Sequence, residues 1–284
     1  MATSQRIPKI RFGTIVAYGI VTIAALLAIF PVYWMVATSL KTRWDSWRLP
    51  PKWLFIPTFE NYISVLTGEG WNASPMGGLL RHSLIISVSA TILALLAGSA
   101  TAYSLARFPQ TRGARQFAGW VLSTRVLPPV VVALPIFAMM QRLGLVDTYP
   151  GLIIPYASFN LPFVVWMLKG FFEGVPEDLE HSAMVDGATR WQAFRMIALP
   201  LVAPGIAATA VLIWTLSWNE FLFALLLTRS LKTAPVSVTE FVTMYGIEWG
   251  QLTATASLMA LPPLILTMLV QKHLVKGLTF GAVK

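Results

Sequence analysis

Two ionisable side chains stand within otherwise uncharged stretches of this 284-residue chain: Arg125 in 116–141 and Glu220 in 196–228. Around Glu220 the order is Trp214-Thr-Leu-Ser-Trp218-Asn219-Glu220-Phe221, with Trp214 one helical turn before Trp218. Asn160 adds an amide to a further uncharged run, 148–168. Amides, charges and aromatic faces together suit a neutral, hydroxyl-rich solute, whose hydroxyls take the polar atoms and whose C–H face takes the rings. The same groups have a structural use: charges within a membrane pair with each other or with a helix, and Trp is common at interfaces. Both uses stay open. Catalysis within the membrane would need a convergent pair such as Glu with His or two Asp, and Glu220 is the one acid in the apolar runs. The chain has no cysteine, and His82, His181 and His273 are scattered, so neither a thiolate nor a His-cluster metal site is expected. No Gly-x-x-x-x-Gly-Lys-Ser/Thr loop occurs to cradle nucleotide phosphates.

A second stretch, Val175–Pro200, carries mechanical rather than chemical signals. Pro176 suits a first helical turn, and Glu177, Asp178 and Glu180 place negative charge at the positive end of the helix dipole. Leu179, Ala183 and Met184 form a modest apolar stripe that stops at Asp186-Gly187, where glycine permits a left-handed turn. Thr189 stands three residues before Gln192, the capping-box spacing, and opens a second helix with Trp191, Phe194, Arg195 and Ile197. Two short helices hinged at a glycine between apolar runs form the kind of elbow that a force-transmitting contact needs.

These residues resemble the signature loop of permease subunits in ABC-type importers. That pattern runs Glu-Ala-Ala, three residues, Gly, nine residues, Ile-x-Leu-Pro. Here Gly187 is followed by nine residues and then Ile197-Ala198-Leu199-Pro200, and Asp186-Gly187-Ala188 matches the usual Asp-Gly-Ala. His181-Ser182-Ala183 replaces Glu-Ala-Ala; Glu180, one residue earlier, points about 100° away around the helix. Other segments are similar to the carbohydrate subgroup: Phe55–Tyr62, Gln141–Pro150, Trp218-Asn219-Glu220-Phe221 and the tail Gly277–Lys284. The likeness covers about residues 15–284 and is nearest the smaller permease of maltose-type systems.

The elements that must position these residues follow from composition. The chain is 56% hydrophobic and 12% charged, where a soluble domain carries about a quarter charged residues. Six spans are expected, near 13–38, 82–106, 116–140, 150–168, 200–228 and 252–271, each close to or above the ~20 residues that cross a bilayer core. Pro128-Pro129 should kink or unwind the third. They leave tails 1–11 and 276–284 around one transmembrane domain, 12–275, with the elbow loop at 175–199. With the N-terminus inside, twelve Lys and Arg fall on the inner side and eight outside, Arg125 lying within a span. The positive-inside rule therefore puts both termini and the elbow in the cytoplasm, so the net charge of +9 sets orientation rather than marking a nucleic-acid binder.

The resemblance implies an all-α membrane protein, a six-helix type I importer permease bundle in a bacterial cytoplasmic membrane, with a coupling-helix elbow. It implies a second, non-identical permease, two ATPase subunits that bind ATP and Mg, and an external solute-binding protein, with no cofactor on this chain and membrane lipid around it. ATPase contact would fall on Glu180, His181, Ala183, Met184, Val185, Asp186, Gly187, Ala188 and Thr189, and the solute path on Arg125, Asn160, Trp214, Trp218, Asn219 and Glu220. The expected cargo is a carbohydrate or polyol. The alternatives are a glycerol phosphate or sulfonated sugar on the same machinery, or a stand-alone ion-coupled carrier using Glu220.

Overall fold

A computed structural model describes residues 12–69, 74–109 and 128–279, together with 113, 116, 119–121 and 123. Among them, five helices are long and apolar enough to cross a membrane: Val16–Ser39, Met76–Arg107, Tyr149–Glu173, Arg190–Trp218 and Trp249–Gln271. Pro129–Arg142 is a shorter apolar helix. Gly113, Gln116, Gly119–Val121 and Ser123 are also helical, so apolar helix occupies both flanks of the expected third span. Arg125 and the rest of 124–127 lie outside the described residues.

In chain order the helices are α1 (Phe12–Ser39), α2 (Arg43–Trp47), α3 (Glu60–Thr67), α4 (Met76–Arg107), α5 (Pro129–Arg142), α6 (Tyr149–Glu173) and α7 (Glu177–Val185). There follow α8 (Arg190–Ala193), a π-turn (Phe194–Ala198), α9 (Leu199–Trp218), α10 (Leu222–Leu227), α11 (Ala234–Ser237) and α12 (Trp249–Thr279). A two-residue antiparallel hairpin, Val242–Thr243 with Gly246–Ile247, is an addition to the expected all-helical chain.

The bundle forms around α4, α6 and α9. Along α4, Ser83, Ser87, Ala90, Ala94, Gly98 and Ala102 recur at three- and four-residue spacing and are buried. Small residues let helices approach closely without a hydrophobic driving force from lipid. At Gly98 a Cβ would meet Val164 Cγ1 of α6 at 2.4 Å, and at Gly205 of α9 it would meet the Phe171 ring at 2.5 Å. Both sites exclude a side chain. Buried Ile86, Leu152, Tyr156, Val164, Leu168, Phe172, Phe194, Val202 and Ile213 fill the seam. Hydroxyls on these helices turn back to their own carbonyls, as Thr91 Oγ1 does to Ser87 O at 2.7 Å.

α1 differs. It packs against α12 but leaves Tyr18 and Leu27 70% exposed, an apolar face for lipid or a partner. Beyond it the 40–59 loop is tied down by Asn61, whose amide donates to Ser39 O and Lys41 O at 2.9 and 2.7 Å. Lys41 itself is buried, its ammonium 4.2 Å from the Trp34 ring centre. Burial pushes its pKa below the ordinary lysine value, while nearby Asp45 acts to raise it.

Two expected boundaries change. The fifth span does not run unbroken over 200–228: α9 ends at Trp218 and α10 begins at Leu222. The elbow's second arm is not a separate short helix, because α8, the π-turn and α9 follow one another without a gap. Pro200 has no N–H to donate, so the hydrogen-bond ladder changes register just before it, Leu199 N bonding Phe194 O.

Candidate functional site

The elbow is built locally. Pro176 stands at the N-cap position of α7, and Glu177, Asp178 and Glu180 occupy its first turn. At its other end Gly187 N donates to Met184 O at 3.1 Å and Ala188 N to Ala183 O at 2.9 Å, the paired bonds of a Schellman turn. Gly187 has φ +94°, a conformation L side chains rarely adopt. Thr189 then closes a full capping box: its Oγ1 accepts from Gln192 N at 3.3 Å and its N–H donates to Gln192 Oε1 at 2.7 Å. His181, Val185, Asp186, Gly187 and Thr189 are exposed, and Ala183, Met184 and Ala188 half-buried. Val185 at 87%, Met196 at 72% and Trp191 at 63% exposure leave an apolar surface on and beside the turn.

Glu180 does not share that surface. Expected among the docking residues, it is 2% exposed and faces inward. Its Oε1 accepts from Arg107 Nε at 2.9 Å and Nη2 at 2.6 Å, and its Oε2 accepts from the Tyr103 hydroxyl. The 100° rotation that separates it from His181 turns it towards α4. Arg107 also donates to Phe172 O at 3.0 Å and Val175 O at 3.1 Å, at the C-terminal end of α6. The Tyr103, Phe172 and Phe194 rings pack beside this knot, with centroids 4.6–6.1 Å apart. Arg107 is one of the twelve Lys and Arg expected on the inner side, and its partner lies 73 residues away, so the sequence does not announce the pair.

The other group of expected residues gathers where α6, α9 and α12 meet, far along α9 from the elbow. Asn160 Nδ2 donates to Ser217 Oγ at 3.0 Å. The Trp214 and Trp218 rings lie 5.1 Å apart at 31°. Trp218 is buried, and its indole N–H donates to Met259 O at 3.1 Å. Pro263, four residues after Met259, has no N–H for that carbonyl, so the indole supplies the missing donor. Asn219 is exposed, with its amide back on Thr215 O at 2.9 Å. Glu220, within the break in the span, accepts from Phe223 N at 3.0 Å and Ala224 N at 3.3 Å at the start of α10. The structure thus brings Trp214, Trp218, Asn219 and Glu220 to one region with Asn160. Asn160 Nδ2, the Trp218 indole N–H and the Glu220 carboxylate bond other parts of this chain.

Among the described residues, no three His, Asp or Glu side chains converge as metal ligands would.

Comparison with known proteins identifies the family and the fold. The model of the family described as "Binding-protein-dependent transport system inner membrane component" matches residues 78–280. The chain is similar to the trehalose transport system permease protein SugB of Mycobacterium tuberculosis, 36% identical over 272 residues, covering 93% of this chain and 95% of that protein. It is also similar to the sulfoquinovosyl glycerol transport system permease protein SmoH of Agrobacterium fabrum, 30% identical over 287 residues, covering 100% and 99%. In fold it matches a chain of a bacterial ABC transporter that imports the acidic polysaccharide alginate, with TM-score 0.75, 22% identity and coverage of 95% and 99%.

Proposed function

Because the chain belongs to the family of inner-membrane components of binding-protein-dependent transport systems, we propose that it forms half of the solute path of an importer for a carbohydrate or polyol, driven through the Gly187 elbow. It is a transport subunit, not an enzyme. ATP and Mg belong to two separate ATPase subunits, a second permease completes the path, and an external binding protein delivers the solute. The observation that carries the reading is the elbow's geometry: a Schellman turn and a capping box back to back, next to exposed Val185, Trp191 and Met196. Such a joint presents a fixed apolar face to a groove on an ATPase. Its second arm runs straight into α9, so a push on the turn moves a spanning helix, and rigid-body rocking gives alternating access.

His181, Ala183, Met184, Val185, Asp186, Gly187, Ala188 and Thr189 make the ATPase contact, with Glu180 anchoring them from behind. The excess of Lys and Arg on the elbow side supports a cytoplasmic elbow and cytoplasmic termini. Of the path candidates, Asn219 supplies an exposed amide at the break in the fifth span, with the buried Trp214 and Trp218 rings, Asn160 and Glu220 framing it. Relatives named for trehalose and for sulfoquinovosyl glycerol support a sugar-like cargo, and the second keeps a sulfonated sugar as the alternative.

The test is co-purification of the chain with its partner subunits, followed by a panel of neutral sugars, polyols, a glycerol phosphate and sulfonated sugars assayed for ATPase stimulation in proteoliposomes. Stimulation by a neutral sugar is expected. A preparation with no nucleotide-binding subunit, or transport by the chain alone, would overturn the reading.

A further inference from the structure

We infer that Arg107 and Glu180 act as a clutch that locks the elbow to the second span, so that ATPase motion drives α4 together with α6 and α9. This rests on the coupling role proposed for the elbow and adds to it a route and two positioning residues. Neither side chain is available to a partner: their exposures are 4% and 3%. Arg107 is the last residue of α4, and its guanidinium spends its donors on three places at once. Nε and Nη2 hold Glu180 of α7, Nη1 holds Phe172 O in the last turn of α6, and Nη2 also reaches Val175 O in the link between them. A planar fork with fixed donor directions is suited to such a junction, and lysine, a single charged point, is not. The cation also sits at the negative end of the α6 dipole.

Stability alone is a poor reason for this arrangement. A buried ion pair contributes little beyond what apolar residues of equal volume would supply, while losing one partner is costly. What the charges add is a directional link. By packing, α7 leans on α8 and the π-turn, the start of the fifth span. Among the described residues its hydrogen bonds to α4 run through the Glu180 carboxylate, from Arg107 and Tyr103. α4 and α6 form the bundle's most extensive helix pair, tightened at Gly98 against Val164. Without the carboxylate, a displaced α7 would still move α9 through the continuous arm and slide against α4. With it, three spans turn as one body.

The chain has no cysteine, so two can be introduced for spin labels, at exposed Ser182 on α7, which is outside the named ATPase contact, and exposed Ser104 on α4. The measurement uses the assembled complex with its second permease, ATPases and binding protein. Without further change, the Ser182–Ser104 distance should stay the same when ATP is added. In Glu180→Gln and in Arg107→Lys the ATPases should still co-purify, the distance should shift or broaden with ATP, and solute-stimulated uptake should fall by about tenfold, a common size for coupling between sites. An invariant distance with full uptake in both variants overturns the clutch. So does full uptake in the apolar pair Arg107→Met with Glu180→Leu, which fills the space without the link; assembly of that pair with uptake lost supports it. If both single variants fail to assemble, the apolar pair decides alone. Failure of the unaltered chain to retain any ATPase would instead remove the elbow reading on which the clutch stands.

Discussion

The two ends of the fifth span are built on opposite plans. At the elbow end, α8, the π-turn and α9 run together, and the hydrogen-bonding groups around the hinge are closed by neighbours within a few residues. At the far end α9 stops at Trp218, and its continuation α10 hangs on the Glu220 carboxylate. A rod joined to its lever at one end and interrupted at the other can carry a push inward without dragging the far loops with it. The elbow must therefore be stiff, and the break must be held in place without being rigid.

The strongest way to break that contrast is Gly187→Pro. Proline fixes φ near −65°, far from the +94° found here, and removes the N–H that bonds Met184 O. Uptake should vanish while the helical circular-dichroism signal and the spans remain. Gly187→Asn, which tolerates the left-handed region, should retain most of the uptake. Equal activity in both variants would mean that the hinge geometry is irrelevant.

Caps occur at both ends, so the same substitution can be compared across them. Glu220→Ala deletes a partly buried carboxylate that holds two backbone N–H groups, and should cost about 2 kcal/mol, the upper end for a lost cap. Thr189→Ala opens an exposed capping box and should cost about 1 kcal/mol or less. Thermal unfolding of the detergent-solubilised chain measures both; a larger loss at Thr189 would reverse the assignment of which end depends on a single side chain. Between these falls Trp218→Phe, which leaves Met259 O without its donor and should cost about 1–2 kcal/mol. Its effect on stability should exceed any change in which sugars stimulate ATP hydrolysis. A changed sugar preference at unaltered stability would make Trp218 a path residue rather than a pin.

The same contrast explains what could be read from the chain itself. The elbow was legible because its parts are close in sequence: Asp186-Gly187-Ala188 encodes the Schellman turn, and Thr189 with Gln192 the box. The apolar runs were legible for the same reason, each being a property of about twenty consecutive residues. The break at Asn219–Phe221 was not, because hydropathy averages over it and nothing in the sequence pairs the Glu220 carboxylate with the N–H groups of Phe223 and Ala224. Arg107 with Glu180, and Trp218 with Met259, join residues 73 and 41 positions apart, and no periodicity announces such pairs. Pro263 did mark Met259 O as short of a donor, but nothing nearby in the sequence named the donor. Glu180 lay between these cases: the helix period turns it about 100° from His181, yet it was expected on the docking face, and only packing revealed what it faced.

The smallest effect concerns what steadies the far side of the break. Asp147 adopts φ 62°, its N–H donates to Leu227 O at 2.8 Å, and its carboxylate receives the N–H groups of Arg229, Ser230 and Leu231 together with the Ser230 hydroxyl. Burial acts to raise its pKa, but these hydrogen bonds prevail and hold it at about 2, below the ordinary 3.8. Folding therefore favours the ionised form, so the stability that Asp147 contributes is present above pH 3.8 and is lost as pH falls towards 2. Asp147→Asn keeps the shape without the charge. Its unfolding midpoint should lie slightly below the unaltered chain's by a constant gap at pH 5 and above, and the gap should narrow steadily between pH 4 and 2. A gap that ignores pH would mean that the carboxylate's charge does not hold the 229–231 turn, and that the far end of the fifth span is steadied by packing alone.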